Sequence, residues 1–323
     1  MSAPAAWDVR DGGLVTFVRN LGSRYALIIV NALIGLLVLP YNVEHLGKAA
    51  YGLWMLTASL TVYFTAVDLG YGGAVVKFVA EYRARRDARA LNEILSTMFF
   101  AFCAMGLASY LLAIGTAALL PHIFNLEPEQ VRTGQVVLLI ISLQVAFYFP
   151  FSVYGGVING FERYYLNNVV GTAFNILTAV VNVLVLWLGY GLVELVIATT
   201  LTRVAPFLVY RRNAFRVFPD LQLKWSLVRR ARLREVTGFS AYLAAIDWSA
   251  KITFTTDAFY LGIFMNTAAV GVYAVAQRLS EALLRMTNQL HTFLFPAVIH
   301  RSVAGRTESQ RCSRSSRIMV SRS

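Results

Sequence analysis

Residues 49–60 read AAYGLWMLTASL, and residues 268–279 read AAVGVYAVAQRL. The two segments align without a gap: Ala-Ala, a glycine, an aliphatic residue, an aromatic, further aliphatic positions and a closing leucine fall in the same places. Each opens an apolar run just after a short turn. Self-similarity at a long period marks a duplicated unit, so whatever residues 49–60 begin, residues 268–279 begin again.

What they begin is set by the composition. Hydrophobic residues make up 57% of the 323 residues and charged residues 14%, with a mean hydropathy of +0.58. A soluble domain carries about 25% charge, so this chain needs lipid as its solvent. Low charge and high hydrophobicity also exclude disorder, and two cysteines, Cys103 in an apolar run and Cys312 in a polar tail, make no disulfide scaffold. Uncharged runs long enough to cross a bilayer recur at 25–43, 49–67, 94–121, 133–161 and 164–193, and 195–210 is broken only by Arg203. About 20 mostly apolar residues make one crossing. The pattern predicts an all-α polytopic membrane protein with eight spans at 22–42, 50–75, 94–120, 133–157, 168–188, 192–210, 238–264 and 269–298. Porin-like strands would show short segments of alternating polarity instead. Leu14, Val15, Phe17 and Val18, beside Arg10 and Arg19, read as an interfacial helix leading into the first span, and the first 20 residues lack the order of a secretory signal.

The net charge of +12 is explained by where the cations sit. With the N-terminus cytoplasmic, inside segments hold Arg10 and Arg19, the run EYRARRDAR (81–89) with Lys77, then Arg163, and the cations from Arg211 to Arg234; outside loops hold Lys48 and Arg132. The positive-inside rule therefore orients the chain, and the basic loops face anionic headgroups. No aromatic platform or module accompanies them, so nucleic acid is not an expected partner.

With both copies of the repeat starting inside, the unit is six spans, related to its partner by an axis along the membrane normal. The expected organisation is an N-terminus at 1–21, a six-helix lobe at 22–210, a basic linker at 211–237, two helices of a second lobe at 238–299, and a Ser/Arg-rich disordered tail at 300–323. The tail, HRSVAGRTESQRCSRSSRIMVSRS from His300, reads either as a basic surface tail or as the product of a premature stop or frameshift.

The stretch HLGKAAYGLWMLTASLTVYFTAVDLGYGGAVVKFVAEYRARRDARALNEILST (45–97) resembles the opening of bacterial polysaccharide exporters, the O-antigen and teichoic-acid type flippases of the multidrug/oligosaccharidyl-lipid/polysaccharide superfamily. Gly47, Tyr51-Gly52-Leu53-Trp54, Asp68-Leu69-Gly70 and Lys77 to Tyr82 carry the likeness, and GVYAVAQRLSEAL (271–283) with FPAVI (295–299) is similar to the same family's eighth span. The resemblance spans roughly residues 12–300. It implies a MATE-like fold of 12 to 14 spans, against eight here, and export of a lipid-linked oligosaccharide across the inner membrane, with the lipid bilayer, the glycan and polysaccharide-assembly proteins as partners and no cofactor. An ion-coupled multidrug antiporter on the same fold, or a truncated non-transporting fragment, are the alternatives.

Candidate site residues are the ionisable groups at membrane depth, which face a bundle interior or water by default. Asp68, in the glycine-rich Asp68–Gly73 segment, is read as an acid at a bend facing a cavity or as one bonded at the inner rim. Arg24 and Arg203 either snorkel to headgroups or meet a phosphate. Asp247, Lys251 and Asp257 of span 7 and Arg278, Glu281 and Arg285 of span 8 form either a cavity wall or a polar seam, with Lys251–Glu281, Asp247–Arg285 and Asp257–Arg278 as expected ion pairs. His45, His122, His291 and His300 are scattered without metal-ligand spacing, and no hydrolase or phosphate-loop motif is present, so neither metal nor enzymatic catalysis is expected.

Overall fold

The computed structural model describes residues 14–68, 71–277 and 280. These residues are mostly helical, joined by turns and by an irregular segment after residue 217, with no strand among them. The helices are α1 (Leu14–Thr65), α2 (Tyr71–Ala84), α3 (Ala88–Ile123), α4 (Pro128–Gly160), α5 (Tyr164–Trp187), α6 (Leu192–Val204), α7 (Pro206–Val217) and α8 (Arg230–Phe264), followed by α9 (Thr267–Gln277). Five apolar helical stretches, Val18–Thr65, Ala88–Ile123, Pro128–Gly160, Tyr164–Trp187 and Leu192–Val217, are long enough to cross a membrane. Their outward faces carry large apolar side chains, with Leu37 and Trp187 each 72% exposed. In water that would be an aggregation surface; in lipid it is the favourable arrangement, because the backbone polar groups are satisfied within each helix.

The first stretch is two crossings. Its 48 residues, at ~1.5 Å each, would run about 72 Å, more than twice the ~30 Å hydrocarbon core. It is interrupted at Gly47, whose φ of 77° and ψ of 161° lie outside the helical region and are open only to glycine. Spans 1 and 2 thus meet at Gly47. The eighth expected span, 269–298, lies mostly outside the described residues.

Two expected spans are corrected. Span 2 does not run unbroken from 50 to 75: the helix stops at Thr65, a 3₁₀ turn occupies Ala66–Asp68, and α2 starts afresh at Tyr71. The Asp68 carboxylate accepts the Gly72 N–H at 3.2 Å, a local bond that competes with helix continuation, and the glycines that follow resist helix. Span 6 divides at Ala205, because Pro206 has no N–H to donate, and then continues to Val217 as α7. Residues 211–217, expected as linker, are therefore helical.

Neighbours can be read from pairs of touching residues. Polar contacts from α1 to α5 occur at Asn20 with Tyr165, Ser23 with Asn168, Asn31 with Asn175, and Tyr41 with Val183. Both numbers rise together, so the two helices run in the same direction. α3 and α4 run oppositely: Gln135 Nε2 donates to Ala117 O, while Gly106 lies against Ala146. α2 lies parallel to α4. Gly156 and Gly160 present a bare backbone to it, and a Cβ at either would come within 2.5 or 2.4 Å of Val75 or Val79 Cγ1. This small-xxx-small packing is how membrane helices approach closely. The largest core cluster joins α2, α3, α4 and α7 around Phe78, Leu95, Phe102, Phe149 and Phe218.

The segment after α7 is strapped to α3. Asn92 donates to Asp220 O and accepts from Gln222 N, both at 2.9 Å. Ser96 Oγ bonds Gln222 O and Lys224 N, and Thr97 Oγ1 accepts from Arg229 N. Three buried polar side chains thus serve as an edge for backbone that has no secondary structure of its own.

Candidate functional site

The charged groups expected from sequence are placed as follows. Arg24 is exposed on α1 and Arg203 is exposed on α6. Asp68 is part-buried at the start of α2, bonded to Gly72 N. Asp257 on α8 is exposed and accepts a hydrogen bond from the Tyr273 hydroxyl of α9. Asp247 and Lys251 belong to α8, with side chains outside the described residues, and Arg278, Glu281 and Arg285 lie outside them altogether; so do the three expected ion pairs.

One set of polar side chains that the structure brings together is neutral. Along α1, Asn20, Asn31 and Asn42 recur every eleven residues, and along α5, Asn168, Asn175 and Asn182 every seven. Eleven and seven residues are close to three and two helical turns, so each set forms one stripe. Asn175 Nδ2 donates to Asn31 Oδ1 at 2.9 Å, Asn168 Nδ2 to Ser23 Oγ at 3.0 Å, and Asn20 Oδ1 accepts from Tyr165 N at 2.9 Å. Further along, Thr178 donates to Thr202 Oγ1 of α6 at 3.0 Å. The Oδ1 atoms of Asn42 and Asn182 are buried with no partner. The stripes are legible in the sequence as spacing, but they carry no charge to mark them.

A second feature lies between α2, α4, α5 and α7. One face of α4, Tyr148, Phe151, Ser152, Gly155, Gly156 and Asn159, together with Gly72 and Val76 of α2, Asn167 of α5, and Phe207 and Tyr210 of α7, lines a half-open cavity of about 270 Å³. The small residues at 152, 155 and 156 leave the hollow and the aromatics wall it.

Helix ends sort into two sets. At one, Asn125 donates to Met265 O and Thr267 to Gln130. At the other, Tyr82 of α2 donates to Glu235 at 3.1 Å and accepts from Arg232 at 2.7 Å, while Arg232 reaches Glu93 at 3.5 Å. Burial pushes the Tyr82 phenol up from its ordinary value; Arg232 opposes this and Glu235 adds to it. The basic run 81–89 is partly neutralised, with Arg85 on Glu81 at 2.6 Å and Arg89 on Glu93 at 3.6 Å. No cluster able to hold a metal occurs among the described residues.

The two copies of the repeat touch. A Cβ on Gly52 would meet Thr267 O and Gly271 N, and one on Gly271 would meet Lys48 O and Gly52 N. Lys48 and Thr267 occupy equivalent places in the aligned segments, as do Gly52 and Gly271, so the contact is reciprocal. Reciprocity of this kind is what a two-fold relation produces.

A family model described as "Polysaccharide biosynthesis protein" matches residues 17–300. A curated relative, a probable flippase, AglR, from Haloferax volcanii, is 23% identical over 287 residues, covering 88% of this chain and 56% of that protein. Among solved structures, the MATE multidrug transporter DinF-BH superimposes with a TM-score of 0.58 at 20% identity, over 81% of this chain and 60% of its own. A MOP superfamily transporter from Pyrococcus furiosus, described as having a binding pocket of reverse polarity, gives 0.56 at 17% identity over 83% and 67%. The fold is thus that of MATE-like transporters, and the chain spans little more than half the length of its curated relative.

Proposed function

The chain belongs to the polysaccharide biosynthesis protein family, and from that premise we propose that it acts in a carrier that moves a lipid-linked oligosaccharide across the bacterial inner membrane, with its N-terminus cytoplasmic. The observation that carries this reading is the family match across residues 17–300; the flippase relative supports it. Such a carrier must bring sugars and a phosphate through hydrocarbon, where unpaired polar groups are costly. A helix bundle with polar stripes inside and apolar side chains outside meets that demand. In this reading residues 22–210 form one lobe, 211–237 the linker and 238–299 the beginning of a second lobe. Arg24, Arg203, Lys251, Arg278 and Arg285 are the candidates for phosphate or acidic sugars, and Asp68, Asp247, Asp257 and Glu281 balance them.

The test is reconstitution of the chain in liposomes holding a polyprenyl-pyrophosphate oligosaccharide with a fluorescent tag on its sugar. External dithionite bleaches outer-leaflet probe at once and inner-leaflet probe only after transfer. The expected result is bleaching beyond the outer-leaflet fraction in protein-containing vesicles. A trace equal to that of protein-free vesicles overturns the proposal, and uptake of an organic cation such as rhodamine with no glycan transfer replaces it with the antiporter.

A further inference from the structure

We propose that the segment strapped to α3 is a docking ledge for anionic phospholipid headgroups, with the Trp225 ring at the top of the acyl chains and Lys224, Arg229 and Arg230 at phosphate level. The inference is independent of what the carrier moves. The depth of the ledge follows from what it touches. Lys224 N bonds Ser96 and Arg229 N bonds Thr97, and these two residues lie just inside the uncharged run 94–121 of α3. The Trp225 ring meets Phe100 edge-on, with centroids 4.9 Å apart and planes at 89°. Phe100 is three residues beyond Thr97, about 4.5 Å deeper at ~1.5 Å rise per residue. The ledge backbone therefore runs along the rim of the apolar stretch, and its indole reaches further into it. Trp225 is nonetheless 71% exposed. An indole open to its surroundings at this level is what a membrane interface accommodates best, with an apolar ring toward the chains and an N–H toward the headgroups.

Charge selects the headgroup. Position in the sequence treats the two basic runs at this end alike; their partners do not. In the run 81–89, Glu81 holds Arg85 at 2.6 Å, Glu93 holds Arg89 at 3.6 Å and Glu162 lies 3.9 Å from Arg83. On α8, Arg232 is spent on Glu93 and Glu235. The side chains of Lys224, Arg229 and Arg230 are exposed and form no ion pair among the described residues. Asp220 is the single acid in residues 218–230, so the ledge presents three cations against one carboxylate. Near an anionic bilayer surface each such cation is worth about a fivefold change in an equilibrium constant; a neutral surface offers no such gain. A soluble anion would meet the same cations but leave Trp225 in water. An acidic protein would have to reach an indole at membrane depth, where lipid already is. An anionic lipid meets the cations and the ring together. Because α8 begins at Arg230, such docking ties the start of α8 to the membrane surface as well as to α3.

The experiment follows hydrogen exchange of the purified full chain in nanodiscs of phosphatidylcholine alone or mixed with phosphatidylglycerol. The reporters are the amides of Leu227 and Val228, which donate to Lys224 O and Trp225 O at 3.1 Å. Phosphatidylglycerol should slow their exchange by about fivefold or more, and molar salt should reverse the slowing. Joint replacement Lys224→Gln, Arg229→Gln and Arg230→Gln should remove the response. Joint replacement Arg85→Gln, Arg86→Gln and Arg89→Gln takes away the same charge and should leave it intact. Trp225→Ala, at an exposed position and so mild for folding, should speed exchange in both lipids. Unchanged exchange within α3 verifies the fold of each variant. Equal rates in the two lipids for the unaltered chain overturn the ledge. Equal losses from the two triple replacements also overturn it, since the response is then diffuse surface charge. Comparable slowing in neutral nanodiscs by glycerophosphoglycerol, the headgroup without its chains, or by polyglutamate reassigns the cations to a free anion or an acidic protein and overturns lipid docking.

Discussion

At the residue scale the chain shows how far a neutral amide can replace a charge. Asn31 and Asn175 satisfy each other between α1 and α5, and neither is ionised, so no desolvation of charge is incurred. Hydrogen bonds between membrane helices average about 0.6 kcal/mol, with an upper end near 1.7. Replacing Asn31 alone with Leu should therefore cost roughly 1 to 2 kcal/mol, because the orphaned Asn175 adds its own desolvation penalty. Replacing both should restore most of that loss. Thermal unfolding of the purified single and double variants in one detergent checks this; a double variant no better than the worse single one would refute pairwise satisfaction. Tyr82 makes a different prediction. Its phenol is raised above the ordinary value, mainly by burial, so its neutral form is the folded form. Its contribution is fully present below pH 10, the unfolded value, and is lost as pH rises through the higher folded value. The stability advantage of wild type over Tyr82→Phe should be about 1 kcal/mol at neutral pH and should shrink above pH 10. An advantage that grows with pH would contradict the Tyr82–Glu235–Arg232 geometry.

At the scale of elements, close packing sets the tolerances. Gly156 leaves no room for a methyl group against Val75, and overpacking typically costs about 1–3 kcal/mol. Gly156→Ala should lower stability by that order, and adding Val75→Ala should recover part of it, as a coupled pair requires. Independence of the two substitutions in a double-mutant cycle would show that α2 and α4 are not in contact there. The strap along α3 is a second case. Ser96 is fully buried and holds Gln222 O and Lys224 N. Ser96→Ala should make the 218–229 segment exchange its amide hydrogens faster and become open to proteolysis, with α3 itself unchanged. An unaltered exchange rate at Gln222 and Lys224 would mean the strap is held elsewhere. The strap was not evident from hydropathy, because Ser96 and Thr97 sit in an apolar run, and Asn92 just before it, where polar residues read as incidental.

At the scale of the whole molecule, the helix ends fall into two groups that match the charge asymmetry of the loops. Asn125, Gln130, Met265 and Thr267 meet at one end; Tyr82, Glu93, Arg232 and Glu235 meet at the other. Given the proposed orientation, cysteines at 129 and 266 should react with an impermeant maleimide in intact cells, and those at 86 and 230 only after permeabilisation. Labelling of residue 230 from outside would overturn the orientation. The reciprocal contact of the repeats adds a packing test. A Cβ at 52 would lie 1.6 Å from Thr267 O and one at 271 would lie 2.5 Å from Lys48 O, so Gly52→Ala and Gly271→Ala should each lower the thermal midpoint of the purified protein. An unchanged midpoint for both would place the two segments apart.

The sequence by itself determined that the chain is helical and lives in a membrane, roughly where its long apolar helices lie, and that the segment at 49–60 recurs near residue 268. Each of these follows from local composition: a run of apolar residues must satisfy its own backbone in lipid, and a run of cations stays where water is. Only the tertiary structure decided that α1 runs beside α5 in the same direction, that α4 lends one face to a hollow, that Asn92 and its neighbours hold the linker, and that Gly52 meets Gly271. Those depend on pairs of residues far apart in the chain, and the spacing of asparagines or glycines on one helix does not name the helix that will face it.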